Sequence, residues 1–280
     1  MSVQTSAPQQ RLAPHRGAVP LLRNLRIDAT TMFWRSLRTV SRDPDELILA
    51  LVLPIAIMLM FVYVFGGAMS VGTDYITYAT PGVILLCAGY GASNTALAVA
   101  NDMNGGIIDR FRSMPMVGTT VLFGHVAASL VKNSVSTAVV LLVAIAIGFR
   151  PSASPAEWLG AAGIVLAYVL AITSLAALIG VSVRTPAAAG GFGFVMLFLP
   201  YVSSAFVPPE TMPTWLRGFA EAQPVTPVIE SIRALLVGMG TGGSPVHDLA
   251  SQAATGIAWC AAITLVSLAA AGWVFMRKGR

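Results

Sequence analysis

Long, uninterrupted runs of apolar residues constrain this chain more than any other feature of its sequence. A membrane-spanning helix needs about 20 apolar residues at a rise of about 1.5 Å each. Only 10% of the residues are charged and the mean hydropathy is +0.76, whereas a soluble domain carries about 25% charged residues. The runs are continuously apolar, while the strands of a membrane β-barrel alternate. The sequence therefore predicts an all-α polytopic membrane protein with six transmembrane helices, near 47–65, 82–100, 122–149, 158–183, 192–207 and 253–276.

The distribution of lysine and arginine predicts the orientation of these spans. Of the 17 Lys and Arg residues, thirteen fall in the N-terminal segment, the second and fourth connections and the C-terminal tail. Cytoplasmic connections carry the excess of basic residues, so both termini are predicted to be cytoplasmic. Because the basic residues lie beside spans, the net charge of +5 does not indicate nucleic-acid binding. The predicted external side holds only Arg150, Arg217 and Arg233.

The segment before the first span divides into two parts. Residues 1–19 are rich in Pro, Gln and Ala and are predicted to be a disordered cytoplasmic tail. Residues 20–42 are predicted to form an amphipathic helix, basic on one face and apolar on the other, in the inner-leaflet interface. A helix that only helps to set topology is the alternative. Residues 20–280, which include this helix, are predicted to form one transmembrane domain.

The connection between the second and third runs, NDMNGGIIDRFRSMPM at residues 101–116, carries two Asp and two Arg. Its apolar residues recur at helical spacing, at Ile107, Ile108, Phe111 and Met114. Glycines precede this stretch and Pro115 ends it. The pattern predicts a short amphipathic helix at the cytoplasmic surface, with its charged face directed toward a protein partner. An ordinary interfacial loop is the alternative.

Five segments occur in order along the chain: LPIAIMLMFVYVFGGA, YITYATPGVI, GGIIDRFRSMP, RTPAAAGG and SSAFVPPETMPTWLRGFAEAQPVTPVIESIRAL. Together they resemble the type-2 ABC exporter permeases, particularly the actinobacterial daunorubicin-resistance permeases. The resemblance covers about residues 30–278, and the chain departs from the family at Asn104, where relatives often carry a charge.

The resemblance implies a half-transporter permease that exports an amphipathic substrate such as a drug, an antibiotic or a lipid. It implies a complex of two permease subunits, as a homodimer or a heterodimer, with two cytoplasmic ABC ATPase subunits. ATP and magnesium would bind those ATPase subunits, so no cofactor, metal or catalytic residue is expected on this chain. The loop helix would dock on the ATPase and transmit its closure. The implied coupling residues are Asp102, Gly106, Asp109, Arg110, Arg112 and Pro115.

The residues themselves contain no phosphate-binding loop for ATP hydrolysis. The GxxxxGK[ST] pattern is missing, and the glycines at 238, 240 and 243 follow no strand. An ATPase-independent secondary transporter or a lipid-handling membrane protein is the alternative function. Neither paired intramembrane acids nor an inverted repeat supports that alternative.

The segment between the last two spans predicts two short amphipathic helices at the external surface. The resemblance implies that they form a re-entrant hairpin, and a plain surface hairpin is the alternative. Within it, Glu230 and Arg233 have the i, i+3 spacing of a helical ion pair.

Three further residues lie inside the apolar runs. Lys132 is an intramembrane charge, and snorkelling to the cytoplasmic interface is the favoured interpretation over a functional role. Cys87 and Cys260 are predicted to be buried free thiols.

Overall fold

The computed structural model describes residues 44–68, 71, 73–105, 119–238 and 249–277. Over these ranges the chain forms eight α-helices and no strand. The predicted tail (1–19) and interfacial helix (20–42) lie outside them. A π-helical turn, Met60–Phe65, continues the helix Pro44–Leu59, and a 3-10 turn, Leu199–Val202, continues the helix Pro186–Phe198. The helices are α1 Pro44–Leu59, α2 Tyr75–Asn104, α3 Thr119–Ile147, α4 Pro155–Ser182, α5 Pro186–Phe198, α6 Thr214–Ala222, α7 Val225–Val237 and α8 Leu249–Arg277.

Four of these helices are long and apolar enough to cross a membrane: α2, α3, α4 and α8. The prediction of a multi-pass helical membrane protein is therefore confirmed. Two shorter apolar segments, Leu51–Phe65 and Pro186–Val202, coincide with the first and fifth predicted runs. The count of six spans stays a prediction for those two segments.

Helix α2 is the centre of the bundle and contacts α3, α4 and α5. It begins at Tyr75, seven residues before the predicted start of the second span, because Pro81 is accommodated inside the helix. Proline removes one backbone hydrogen bond and usually ends a helix in water. Tertiary contacts keep this helix intact, since most side chains between Tyr75 and Ala100 are buried.

The outer surface of the bundle is apolar along α3 and α8. Leu142 on α3 and Leu265 and Val266 on α8 are exposed. Extensive exposed apolar surface marks a membrane or protein contact. A lipid environment accounts for these side chains.

The two helices between the fifth and last spans differ in burial. Helix α6 is largely exposed, with Trp215 pointing outward, whereas nearly every side chain of α7 is buried against α2, α4 and α8. The plain surface hairpin is therefore wrong for α7. Glu230 and Arg233 form the ion pair that their i, i+3 spacing predicts, and both side chains are buried.

Two predictions about single residues have different outcomes. Cys87 and Cys260 are free and buried, as predicted. Lys132 has 6% of its surface exposed. Snorkelling would place the ammonium group in water, so the burial contradicts that interpretation.

Candidate functional site

Most of the predicted coupling segment lies outside the described residues. This holds for Gly106, Asp109, Arg110, Arg112 and Pro115, and for the amphipathic helix predicted around them. Asp102 lies in the last turn of α2. The structure therefore describes the two stems that the segment connects, the end of α2 and the start of α3.

An interaction between Asp102 and His125 joins these stems. The Nε2 atom of His125 lies 3.0 Å from the Oδ2 atom of Asp102, and the side chains are 13% and 15% exposed. An ionised carboxylate only accepts hydrogen bonds, so Nε2 carries the proton in this contact. The contact fixes the end of α2 against the first turns of α3.

Two further polar contacts continue along α3 from His125. Ser129 accepts a hydrogen bond from the Thr95 hydroxyl of α2 at 2.6 Å. Asn133 donates to the Thr173 hydroxyl of α4 at 3.5 Å. We call the α3 residues His125, Ser129 and Asn133, together with their three partners, the polar column.

The three α3 residues of the polar column lie on one face because they are four residues apart in the sequence. Residues four apart lie on one face of a helix, so His125, Ser129 and Asn133 all face the same side. Asn133 also lies against Gly91 of α2. A methyl group at position 91 would overlap the Asn133 amide, so glycine allows α2 and α3 to approach each other here. Small side chains allow close contact between membrane helices.

The polar column can hold α2, α3 and α4 in a fixed register behind the coupling segment. Hydrogen bonds between membrane helices contribute about 0.6 kcal/mol each on average, so the column orients helices more than it stabilises them. A force applied at the loop between α2 and α3 would be carried by both stems together. His125, Ser129 and Asn133 were not among the predicted site residues, although polar residues four apart in an apolar helix indicate a shared polar face.

A comparison with known proteins identifies the family of this architecture. The family model described as ABC-2 type transporter matches residues 28–237. The chain is 28% identical over 210 residues to a daunorubicin resistance ABC transporter permease protein of Streptomyces coeruleorubidus, covering 74% of each chain.

Two other similar proteins are also named as permeases. A probable doxorubicin resistance ABC transporter permease protein of Mycobacterium tuberculosis is 24% identical over 268 residues, which is 94% of each chain. A putative transport permease of Porphyra purpurea is 24% identical over 202 residues, covering 69% of this chain and 68% of the relative.

Proposed function

The chain belongs to the ABC-2 type transporter family, and on that premise we propose that it exports an amphipathic drug, antibiotic or lipid. It is a membrane subunit of an ABC transporter, and a separate subunit carries the ATPase activity. The family match carries this proposal. The names of the relatives, daunorubicin and doxorubicin resistance permeases, support a drug-like substrate and outward transport.

The proposed location is the bacterial cytoplasmic membrane, with both termini in the cytoplasm. The excess of Lys and Arg in the N-terminal segment, the second and fourth connections and the C-terminal tail supports this orientation. The Asp102 end of the bundle then faces the cytoplasm, and α6 and α7 lie at the external end as a re-entrant hairpin. The short helices α1 and α5 complete six spans.

The proposed partners are a cytoplasmic ABC ATPase, which binds ATP and magnesium, and a second permease subunit. Asp109, Arg110 and Arg112, with Gly106 and Pro115 at the turns, contact the ATPase. Charges at an interface contribute register and specificity. Asp102 has a different part in this proposal, because its contact with His125 fixes the stem of the segment.

Charge reversal in the coupling segment tests the proposed function. Asp109→Lys and Arg112→Glu are each expected to weaken binding of the ATPase by about 1–3 kcal/mol through like-charge repulsion. The measurement is co-purification of the ATPase subunit and stimulation of its ATP hydrolysis by the permease in nanodiscs. Insertion and folding of both variants should match wild type, since the helical spacing assigns these charges to the predicted polar face.

Ile108→Asp is the matched comparison for these variants. It places a carboxylate on the predicted apolar face, so we expect loss of folded protein rather than selective loss of ATPase binding. Wild-type binding and stimulation by both charge reversals would contradict the proposed coupling role of the segment.

The stem contact predicts a difference between two substitutions of Asp102. Asp102→Leu removes the acceptor for His125 Nε2 and is expected to reduce ATPase stimulation severalfold, because the end of α2 is no longer held to α3. Asp102→Asn keeps an oxygen acceptor of the same size and should retain most of the stimulation. Stimulation at the wild-type level by Asp102→Leu would show that the contact does not transmit movement.

A further inference from the structure

The fifth predicted span contains a buried interruption of helical structure. After the 3-10 turn that ends at Val202, residues 203–206 are not helical, and Ser203, Ser204, Ala205 and Phe206 are almost completely buried. We call residues 203–206 the break. Non-helical backbone at membrane depth is tolerated where protein or a water-filled cavity satisfies its polar groups. The partners of these carbonyl groups therefore decide whether the break can open.

Alternate carbonyl groups at the break accept hydrogen bonds from side chains of different elements. Val202 O accepts from Gln223 Nε2, in the connection between α6 and α7. Phe206 O accepts from the Tyr75 hydroxyl of α2 at 2.9 Å. Between them, Ser204 O accepts from a terminal guanidinium nitrogen of Arg233 at 2.8 Å. Three carbonyl groups at the break thus have donors from side chains remote in sequence, while the buried Ser204 hydroxyl has no hydrogen-bond partner among the described residues.

Arg233 connects three elements by itself. Besides Ser204 O, its guanidinium donates to Tyr78 O of α2 at 3.1 and 3.3 Å and to Glu230 of α7 at 2.5 Å. The side chain is 1% exposed, and its central carbon lies 3.9 Å from the centroid of the Tyr78 ring. A guanidinium has five N–H donors in a fixed plane, so it can join α2, α7 and the break at once.

Close packing leaves no space between these elements. A methyl group on Gly82 of α2 would come within 2.8 Å of the Ala205 Cα atom. The ring of Phe206 stacks on Phe61 of the π-helical turn, with 4.3 Å between centroids. α2 and the π-helical turn are therefore in direct contact with the break at these two positions.

We propose that Arg233 is a positioning residue of the transport cycle: it joins the N-terminal part of α2, the break and α7 into one rigid unit. We call this unit the Arg233 unit. The unit moves as a whole, and substrate leaves beside it rather than between its parts. Opening within it would leave a buried cation and several carbonyl groups without partners, which is strongly unfavourable in a low-dielectric interior.

This inference rests on the proposed function, and distances between spin labels test it. Labels are placed at two exposed positions, Asp74 before α2 and Ala222 at the end of α6. Ala222 directly precedes Gln223, which donates to Val202 O at the break, so this label reports the position of the break. Cys87 and Cys260 are replaced by alanine. The full complex in nanodiscs is measured without nucleotide and after trapping with ATP and vanadate. We expect the Asp74–Ala222 distance to be the same in both states, while the distance between Asp74 labels on two permease subunits changes.

Arg233→Lys tests whether the guanidinium contacts hold α2, the break and α7 together. Lysine keeps the charge and loses the fork that reaches three elements, so the Asp74–Ala222 distance distribution should broaden without nucleotide and transport should fall at least severalfold. Arg217→Lys is the matched control, because the Arg217–Glu221 pair on α6 lies on the same hairpin but is about half exposed. The control should leave the distribution and transport unchanged.

The possible results distinguish failure of the Arg233 unit from failure of the proposed transporter function. A nucleotide-dependent shift of the wild-type Asp74–Ala222 distance overturns the Arg233 unit, because the unit would then open internally. An Arg233→Lys protein with the wild-type distribution and transport overturns it as well. Absence of any nucleotide response, including the distance between subunits, contradicts the proposed function, while the nucleotide-free comparison of Arg233→Lys with wild type still decides the inference.

Discussion

Replacing Arg233 with methionine is expected to lower the free energy of unfolding by about 3–5 kcal/mol, the usual cost of removing one partner of a buried ion pair. Methionine fills a similar volume but has no charge and no hydrogen-bond donor. The Glu230 carboxylate, which is nearly buried, then has no guanidinium beside it, and the carbonyl groups of Tyr78 and Ser204 lose their donor. The measurement is equilibrium unfolding in mixed micelles.

Two comparisons isolate the cause of that loss. Arg217→Met removes an ion pair of the same type with Glu221, 2.7 Å apart and about half exposed, and should change stability little because exposed pairs contribute little. The double variant Glu230→Gln, Arg233→Met should recover part of the loss, since no unpaired charge remains inside the protein. A single Arg233→Met variant as stable as wild type would show that the buried pair contributes nothing to stability.

The sequence predicted those parts of the fold that depend on local chemistry. Apolar length alone located α2, α3, α4 and α8, because the bilayer requires about 20 apolar residues for each crossing. Helical spacing alone predicted the pairing of Glu230 with Arg233, which lies within one turn of α7. These features need no knowledge of what surrounds the helix.

Features that depend on distant partners could not be predicted in the same way. The carbonyl of Phe206 is satisfied by Tyr75, 131 residues earlier, and that of Ser204 by Arg233. An apolar run with Pro200 inside it gives no indication of which side chains would supply donors. The burial of α7 goes against the alternative of a plain surface hairpin, and the contacts of α7 with α2, α4 and α8 that bury it are likewise made by residues distant in sequence.

The candidate site contains both features that were predictable from the local sequence and features that depend on distant partners. Resemblance to the family selected Asp102, and the structure adds a partner, His125, at 3.0 Å. The four-residue spacing of His125, Ser129 and Asn133 was visible in the sequence, but its meaning depended on which neighbours α3 meets. Thr95 on α2 and Thr173 on α4 give that face its function as a contact between helices.

Substituting Gly180 with alanine tests whether this register of helices is required. Gly180 lies in the last turn of α4, and a Cβ atom there would be 2.6 Å from the carbonyl oxygen of Ala96 and 2.7 Å from Val99 Cβ, both on α2. Backbone atoms cannot rotate away, so α4 must move from α2 close to Thr95 of the polar column. We expect a loss of about 1–3 kcal/mol in unfolding free energy, typical of overpacking, together with reduced stimulation of the ATPase.

Gly163→Ala on the same helix is the matched control, because a Cβ atom at Gly163 would meet no atom within 4 Å. Alanine is favoured over glycine in a helix by up to about 1 kcal/mol, so this variant should be as stable as wild type or slightly more stable. The two substitutions make the same chemical change in one helix and differ only in what faces the new methyl group. Equal stability and equal ATPase stimulation in the two variants would mean that close contact between α2 and α4 is not needed. Loss of ATPase stimulation only in Gly180→Ala would place this contact between α2 and α4 in the path that transmits movement from the coupling segment.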